Sequence, residues 1–223
     1  MCGVLPVLKN AIAKGFVKKT QWPWRKFKKT KFIFCKPSLS WGGFLFLAMA
    51  HLNVEIKAKC SNPDFIRNFL KEKEAAFKGL DHQTDTYFNT RNGRLKLRQG
   101  NIENNLIYYE RNNQAGPKSS HFNLIKIEEA DKLKSVLAKA MGIKIVVEKK
   151  REIWFIDNVK FHIDEVPGLG AFVEIEASNL YADKTKEELL QQCNYYLQEF
   201  EIRESDLVEV SYSDMMLSQV NAK

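Results

Sequence analysis

Residues Phe161 to Glu176, FHIDEVPGLGAFVEIE, decide the fold of this chain. Their alternating polarity predicts two short strands joined by a tight Pro-Gly-Leu-Gly turn. Side chains along a strand point to opposite faces with a period of two, so Glu174 and Glu176 share one face, and His162 and Asp164 share a face of the partner strand. Carboxylates this close repel each other unless positive charge lies between them. The alternative is the solvated face of an exposed hairpin, the usual meaning of an isolated Glu-x-Glu.

Further strands with one charged face precede this hairpin. The segment 52–59 alternates cleanly, Asn92-Gly93 is a strong hairpin signal, and strands are also predicted within 83–88, 94–98, 106–111, 120–127 and 143–154. Together with the hairpin, their polar faces carry the basic residues Lys57, Lys59, Arg94, Lys96, Arg98, Arg111, Lys149 and Arg151 and the acidic residues Glu55, Asp164, Glu174 and Glu176. Amphipathic antiparallel strands hide their backbone edges by closing into a barrel. The sequence therefore predicts a barrel with a charged interior.

Helical spacing accounts for most of the remaining chain. Helices are predicted from Ser61 to a stop at Gly79, from Glu128 to Ala140, from Thr185 to about Phe200, and briefly from Ser205. Their apolar faces would pack against the outside of the barrel, which makes the fold class α+β.

A charged interior needs counter-charge, because burying an unpaired ion costs several kcal/mol. Internal ion pairs relieve part of this cost. A polyanion with a divalent cation relieves more, since Arg and Lys bind phosphate oxygens and clustered carboxylates bind Mg²⁺ or Mn²⁺. This is the electrostatic arrangement of phosphoryl transfer. The interior therefore favours a phosphorylated ligand with a hard metal ion.

The charge balance argues against nucleic acid as the partner of the barrel. The 223-residue chain has a formal net charge of +8, but ten of its 35 Lys and Arg residues and none of its 27 Asp and Glu residues lie within 1–54. The remainder is slightly acidic, with acidic strands interleaved among basic ones. The basic character belongs to the N-terminal segment.

Residues 1–50 form a basic, acid-free extension that is predicted to be poorly ordered. Two other interpretations remain open: a mitochondrial transit peptide that meets the import machinery, or a basic aromatic tail that contacts a membrane surface or nucleic acid. Its longest apolar run, Trp41 to Ala50, is shorter than the roughly 20 residues that span a bilayer. The four cysteines form no Cys-x-x-Cys pair, which fits a reducing compartment. We expect a cytoplasmic protein, or a mitochondrial one if 1–50 is a transit peptide.

The motif order resembles that of a known family, the CYTH superfamily of triphosphate tunnel metalloenzymes. The motifs are Glu55-x-Lys57, Asp85 to Phe88, Gly93 to Arg98, Tyr109-Glu110-Arg111, Lys149-Lys150-Arg151, His162 to Val166, Gly168-Leu169-Gly170 and Glu174-Ile175-Glu176. The resemblance covers about residues 51–212 and leaves 213–223 as a C-terminal tail. Its details are most similar to the class IV adenylyl cyclase-like branch, with thiamine triphosphatases as relatives.

The resemblance implies a closed eight-stranded antiparallel tunnel that binds a triphosphate end-on with Mg²⁺ or Mn²⁺. It assigns Glu55, Glu174 and Glu176 as metal ligands, with Asp164 as a further ligand or a water-orienting group. It assigns phosphate binding to Lys57, Arg94, Lys96, Arg98, Arg111, Lys149 and Arg151. Asp164, Lys57 and Tyr87 are the candidate catalytic residues, although Tyr87 also suits a packed core. The chain departs from the family's Glu-x-Glu-x-Lys at Asn53, whose amide brings an oxygen but no charge.

Three functions follow from this resemblance. The first is hydrolysis of inorganic triphosphate, thiamine triphosphate or ATP with release of phosphate. The second is a class IV adenylyl cyclase that makes cyclic AMP and pyrophosphate from ATP. The third is a non-catalytic module that binds nucleotide or polyphosphate.

Overall fold

The computed structural model describes residues 51–110 and 113–222. The predictions for the extension 1–50 and for Arg111 therefore lie outside the described residues. The eight strands are β1 (His51–Lys59), β2 (Ala76–Phe88), β3 (Arg94–Gln99), β4 (Asn105–Glu110), β5 (Lys118–Lys126), β6 (Ile143–Ile156), β7 (Val159–Val166) and β8 (Gly170–Ser178). The helices are α1 (Pro63–Glu72), α2 (Ala130–Met141), α3 (Lys186–Glu199) and α4 (Tyr212–Asn221), with a 3₁₀ turn at Glu204–Asp206.

The eight strands close into one barrel in the order β1-β5-β4-β3-β2-β6-β7-β8, with β8 pairing back onto β1. Every neighbouring pair is antiparallel. Closure leaves no free sheet edge, which is how an antiparallel sheet with one polar face hides its backbone. The predicted α+β fold, a closed eight-stranded antiparallel barrel with helices outside, is confirmed.

The hairpin predicted from Phe161 to Glu176 is formed by β7 and β8. Gly168 has φ 77° and Gly170 has φ 102°, in the left-handed region that glycine adopts without strain. The register places His162 opposite Glu174. The tight turn thus sets which interior side chains meet.

The apolar faces of the strands pack outward against α1 and α3. The buried cluster includes Val54 and Ile56 of β1, Ile175 of β8, and Leu189 and Cys193 of α3. In β1 and β8 the alternation seen in the sequence therefore separates an apolar outside, covered by helices, from a charged inside.

Helix α1 ends earlier than predicted, at Glu72 rather than near Gly79. Glu74 turns the chain with φ 53°, and β2 already begins at Ala76. The ring of Phe77 then packs on Trp154 of β6, with 4.4 Å between centroids. Pairing of β2 with β6 outweighs the helical pattern in this segment because local propensity is weak beside tertiary contacts.

The C-terminal segment also differs from its prediction. The short helix expected from Ser205 is a 3₁₀ turn, and most of the predicted tail 213–223 belongs to α4. The hydroxyl of Ser211 accepts from the amide of Asp214, whose carboxylate accepts from the amide of Ser211, both at 3.2 Å. This capping box starts the helix. Among the described residues, no helix is both long and apolar enough to cross a membrane.

Candidate functional site: the charged interior of the barrel

The barrel encloses a cavity of about 400 Å³, lined by the polar faces of most strands and, on β4 and β5, also by Ile107, Phe122 and Leu124. Nine of the predicted site residues line it: Glu55, Lys57, Tyr87, Lys96, Arg98, Lys149, Arg151, Glu174 and Glu176. Arg94 and Asp164 are not among its lining residues. The period-two pattern therefore brings together most of the residues that the sequence singled out.

One group of cations gathers around Asp85 of β2. Its carboxylate accepts from Nζ of Lys149 at 2.7 Å, from Arg98 at 2.9 and 3.1 Å, and from Nζ of Lys96 at 3.2 Å. Burial acts to raise the pKa of Asp85, but the charges of Arg98, Lys149 and Lys96 outweigh it and hold the pKa well below its usual range. Three cations thus share one carboxylate, which leaves an excess of positive charge on this wall.

Lys149 is the most buried of these three cations. Burial, opposed by Asp85 and reinforced by Arg98, Arg151 and Lys96, lowers the pKa of Lys149 to about 7. An added anion would raise this pKa, because it would stabilise the protonated amine. Lys149 is therefore a group that an anionic ligand would keep charged.

A second group of five residues contacts one another in a ring: Arg151, Glu174, Lys57, Tyr212 and Asp164. Glu174 accepts from Nη2 of Arg151 at 2.6 Å and from Nζ of Lys57 at 3.0 Å. Nζ of Lys57 lies 3.7 Å from the ring centroid of Tyr212 in α4. The hydroxyl of Tyr212 donates to Asp164 at 2.8 Å, and Asp164 also accepts two hydrogen bonds from Arg151. The C-terminal helix is thereby connected to the phosphate-binding candidates.

Asp164 lies behind Arg151, away from the cavity lining. Its carboxylate is buried, one oxygen accepts from Nε of Arg151 at 2.6 Å, and the other accepts from Nη2 of Arg151 and from Tyr212. Burial opposes ionisation of Asp164, but the charge of Arg151 and its hydrogen bonds lower the pKa below its usual value. In this arrangement Asp164 orients Arg151.

Arg94 and Tyr87 also take positions that limit their predicted roles. Arg94 donates to Asp214 of α4 at 3.0 Å and lines a smaller neighbouring pocket. Tyr87 lines the main cavity beside Tyr109, and burial together with the charge of Asp85 raises its pKa. Tyr87 therefore keeps its proton and can donate a hydrogen bond.

The acidic residues offer a donor set that fits a divalent cation. Glu174, Glu176 and His162 each present a ligand atom, and these atoms lie within 4.8 Å of one another. Asn53 lines the same cavity, and its buried Oδ1 has no hydrogen-bond partner. An unsatisfied buried oxygen is costly, and a hard cation that takes oxygen ligands would satisfy it. The residues present thus fit Mg²⁺ or Mn²⁺.

Sequence reasoning assigned no role to Glu103 and Lys160, which line the cavity, or to Asp81, which supports the loop of Glu103. Glu103 accepts from Nζ of Lys160 at 2.5 Å and from Arg98 at 2.8 Å. Its loop is held by the buried Asp81, which accepts from the amides of Ile102 at 2.8 Å and of Glu103 at 3.1 Å. Lys160 shares its period-two phase with His162, so the strand pattern contained that signal. Glu103 and Asp81 lay near predicted turns and carried none.

Comparison with known proteins agrees with this geometry. Residues 51–212 match the family model of the CYTH domain. A protein of Methanocaldococcus jannaschii, named "Putative adenylate cyclase", is 28% identical over 181 residues, which are 74% of this chain and 98% of the relative.

Two solved structures share the fold. A "conserved hypothetical protein" from Pyrococcus furiosus has a TM-score of 0.62 at 23% identity, covering 73% of this chain and 98% of its own. A "putative adenylate cyclase" from Vibrio parahaemolyticus has a TM-score of 0.62 at 18% identity, covering 75% of this chain and 98% of its own. With the family model matched across the whole barrel, the chain belongs to the CYTH domain family.

Proposed function

We propose that this protein is a divalent-metal-dependent triphosphatase that binds a triphosphate inside the barrel and releases phosphate. One observation carries the proposal: seven cationic side chains line a single cavity together with five carboxylates. The cations are Lys57, Lys96, Arg98, Lys126, Lys149, Arg151 and Lys160, and the carboxylates are Glu55, Asp85, Glu103, Glu174 and Glu176. CYTH family members bind triphosphate substrates.

The group around Asp85 is suited to hold phosphate oxygens. Lys96, Arg98 and Lys149 share Asp85, and Arg98 also contacts Glu103, which in turn pairs with Lys160, so four cations are balanced by two carboxylates. Arg151, which Asp164 holds in a fixed orientation, extends this surface toward Glu174. Fixed cations aimed at a triphosphate stabilise the charge that develops during phosphoryl transfer without reorganising.

The acidic side of the cavity would hold the metal ion. Glu55, Glu174, Glu176 and the amide oxygen of Asn53 supply oxygen ligands, which hard cations prefer. When bound, a divalent cation neutralises phosphate charge and lowers the pKa of a bound water.

Glu176 is also a candidate to orient the attacking water, because a carboxylate beside the metal ion can accept a hydrogen bond from a water that the ion binds. It lines the cavity next to Glu174, and its carboxylate lies 3.6 Å from Nδ1 of His162. We assign it the orientation of the attacking water. Tyr87 keeps its proton and would donate to a phosphate oxygen.

Adenylyl cyclisation is the second candidate, favoured by the name of the M. jannaschii relative. This reaction needs the ribose 3′-hydroxyl held in line with the α-phosphorus, in addition to the phosphate and metal sites. Both reactions use the same cations, so only the identity of the products distinguishes hydrolysis from cyclisation.

The test incubates the purified full chain and Mg²⁺ or Mn²⁺ separately with inorganic triphosphate, thiamine triphosphate and ATP. Products are resolved by chromatography. Glu176→Gln removes a cavity carboxylate, and Glu165→Gln is a matched control because Glu165 lies on the same hairpin with a side chain that is 72% exposed. We expect phosphate release by the wild type and by Glu165→Gln, and at least a hundredfold loss in Glu176→Gln.

Other outcomes have definite meanings. Formation of cyclic AMP and pyrophosphate from ATP would show that the protein is a cyclase rather than a triphosphatase. Binding of all three compounds without any product would leave a non-catalytic binding module. Equal rates of phosphate release for Glu176→Gln and Glu165→Gln would show that Glu176 has no role in the reaction.

A further inference from the structure

The carboxylate of Glu103 pairs with two cations of the cavity, and the proposed function gives it no role. It accepts from Nζ of Lys160 at 2.5 Å and from Nη1 of Arg98 at 2.8 Å, and its side chain is 18% exposed. Burial opposes ionisation of Glu103, but the charges of Lys160 and Arg98 hold its pKa well below the usual range. Glu103 therefore places a lasting negative charge on the cavity lining.

The loop between β3 and β4 is built to hold this carboxylate in place. Asp81, which is fully buried, accepts from the amides of Ile102 at 2.8 Å and Glu103 at 3.1 Å. Gly100 permits this approach, because a Cβ atom at that position would lie 2.5 Å from Oδ1 of Asp81. The side chain of Asn104 closes the loop with two hydrogen bonds to the backbone of Gly100. The loop backbone is therefore fixed by hydrogen bonds on both sides of Glu103.

Arg98 joins Glu103 to the cations that the proposed function assigns to phosphate. Its Nε and Nη2 donate to Asp85, and its Nη1 donates to Glu103. Asp85 also accepts from Lys96 and Lys149. Two carboxylates thus lie on either side of one guanidinium. A phosphate chain bound at the cations around Asp85 would meet the charge of Glu103 as soon as it extended past Arg98.

Lys160 would continue the cationic surface if Glu103 carried no charge. It belongs to β7 and lines the cavity, but its ammonium is paired with Glu103. Loss of that negative charge would make Nζ of Lys160 and Nη1 of Arg98 available to further phosphate oxygens. With the charge in place, a longer chain meets repulsion where it needs a cation.

We propose that Glu103 limits the length of the polyphosphate chain that the cavity binds, so that a triphosphate is accepted and a fourth phosphate group is repelled. A fixed like charge acts against the wrong ligand and adds no contact to the right one, which is one of the two ways in which a site gains specificity. This inference rests on the proposed function for the binding of a triphosphate, and it adds the residue that rejects longer chains.

The test compares inorganic triphosphate with linear inorganic tetraphosphate by calorimetric titration of the full chain, without divalent metal so that no turnover occurs. Glu103→Gln removes the charge and keeps the size of the side chain. Glu165→Gln is the matched control, since it changes the net charge equally at a side chain that is 72% exposed and does not line the cavity. Thermal unfolding of each variant verifies the fold.

We expect the wild type to bind tetraphosphate no more tightly than triphosphate, although tetraphosphate carries more charge. Glu103→Gln should tighten tetraphosphate binding about tenfold and triphosphate binding less than threefold. Glu165→Gln should change neither. Equal gains for both ligands, no gain for tetraphosphate, or a wild type that prefers tetraphosphate tenfold would each overturn the inference.

A second comparison keeps the inference testable if Glu103→Gln leaves Lys160 unpaired and does not fold. The double variant Glu103→Gln, Lys160→Gln removes both charges, and Lys160→Gln alone keeps the charge of Glu103. Relative to triphosphate, the double variant should bind tetraphosphate at least threefold more tightly than Lys160→Gln does. The same ratio in both variants would overturn the inference.

The two proposals fail in different ways. If Glu103→Gln selectively tightens tetraphosphate binding but the metal-loaded wild type releases no phosphate, the length limit stands and the triphosphatase does not. If inorganic triphosphate is hydrolysed while Glu103→Gln affects both ligands equally, the triphosphatase stands and the length limit does not.

Discussion

The substitution Tyr212→Phe would remove one hydroxyl from a residue that lines the cavity and leave the aromatic ring in place. That hydroxyl donates to Asp164 at 2.8 Å, and both residues are buried. The ring keeps its contact with Phe172, at 5.0 Å between centroids, and its position 3.7 Å from Nζ of Lys57. The change therefore isolates the hydrogen bond between α4 and the site.

The size of the effect follows from the charge of the acceptor. A hydrogen bond to a charged group contributes roughly 1.5–3 kcal/mol to stability. Asp164 keeps its bonds to Arg151 after the substitution, so the carboxylate is not left unpaired. We therefore expect a loss of about 2 kcal/mol in the free energy of unfolding.

Urea unfolding followed by tryptophan fluorescence measures this loss. Tyr195→Phe is the control, because Tyr195 lies on α3 and is 46% exposed. It should cost less than about 0.5 kcal/mol. Titration of both variants with inorganic triphosphate tests the connection to the site: Tyr212→Phe should weaken binding, since Asp164 holds Arg151 less firmly without its second donor.

The reasoning would be refuted if Tyr212→Phe and Tyr195→Phe were equally stable and bound triphosphate equally well. Loss of stability with unchanged affinity would confine Tyr212 to a structural role and break the proposed connection between α4 and Arg151.

Three further predictions concern the cavity itself. Only protonated Lys149 attracts phosphate, and its pKa is about 7, so triphosphate affinity measured by calorimetry should fall as the pH rises from 7 to 9. Lys149→Arg stays protonated and should show a flatter dependence of affinity on pH. The same dependence in the wild type and the variant would contradict this prediction. Asp85→Asn removes the carboxylate that Lys96, Arg98 and Lys149 share, although Arg98 keeps its contact with Glu103, so thermal unfolding should show a loss of about 3–5 kcal/mol, with inorganic triphosphate raising the melting temperature more than in the wild type. Asn53→Glu adds a carboxylate to the acidic side and should tighten Mn²⁺ binding about tenfold by electron paramagnetic resonance; an unchanged affinity would place the metal away from Asn53.

Much of the site was accessible to sequence reasoning because strand alternation is local. The phase of Glu174 and Glu176, and of Arg98, Lys149 and Arg151, follows from a period of two and needs no knowledge of neighbouring strands. All five line the cavity. The same phase placed Asp164 inward but could not show that Arg151 and Tyr212 would occupy both of its oxygens.

The failures came where distant segments compete for the same residues. The helical pattern up to Gly79 lost to pairing of β2 with β6. The C-terminal helix differs for a local reason, because the capping box at Ser211 starts it later than Ser205. Ile107 and Leu124 also line the cavity, although in the sequence they are indistinguishable from apolar strand positions that face outward.

By itself, the sequence determined the charged strand faces, the hairpin of β7 and β8, and the excess of basic over acidic residues on those faces. These features depend on the order of neighbouring residues and on the backbone preferences of Gly168 and Gly170. Only the tertiary structure decided which charges meet: Asp85 with Lys149, 64 residues apart, and Asp164 with Tyr212, 48 residues apart. Such pairings are set by strand register and barrel closure. Both depend on the whole sheet at once and cannot be recognised in any single segment of the sequence.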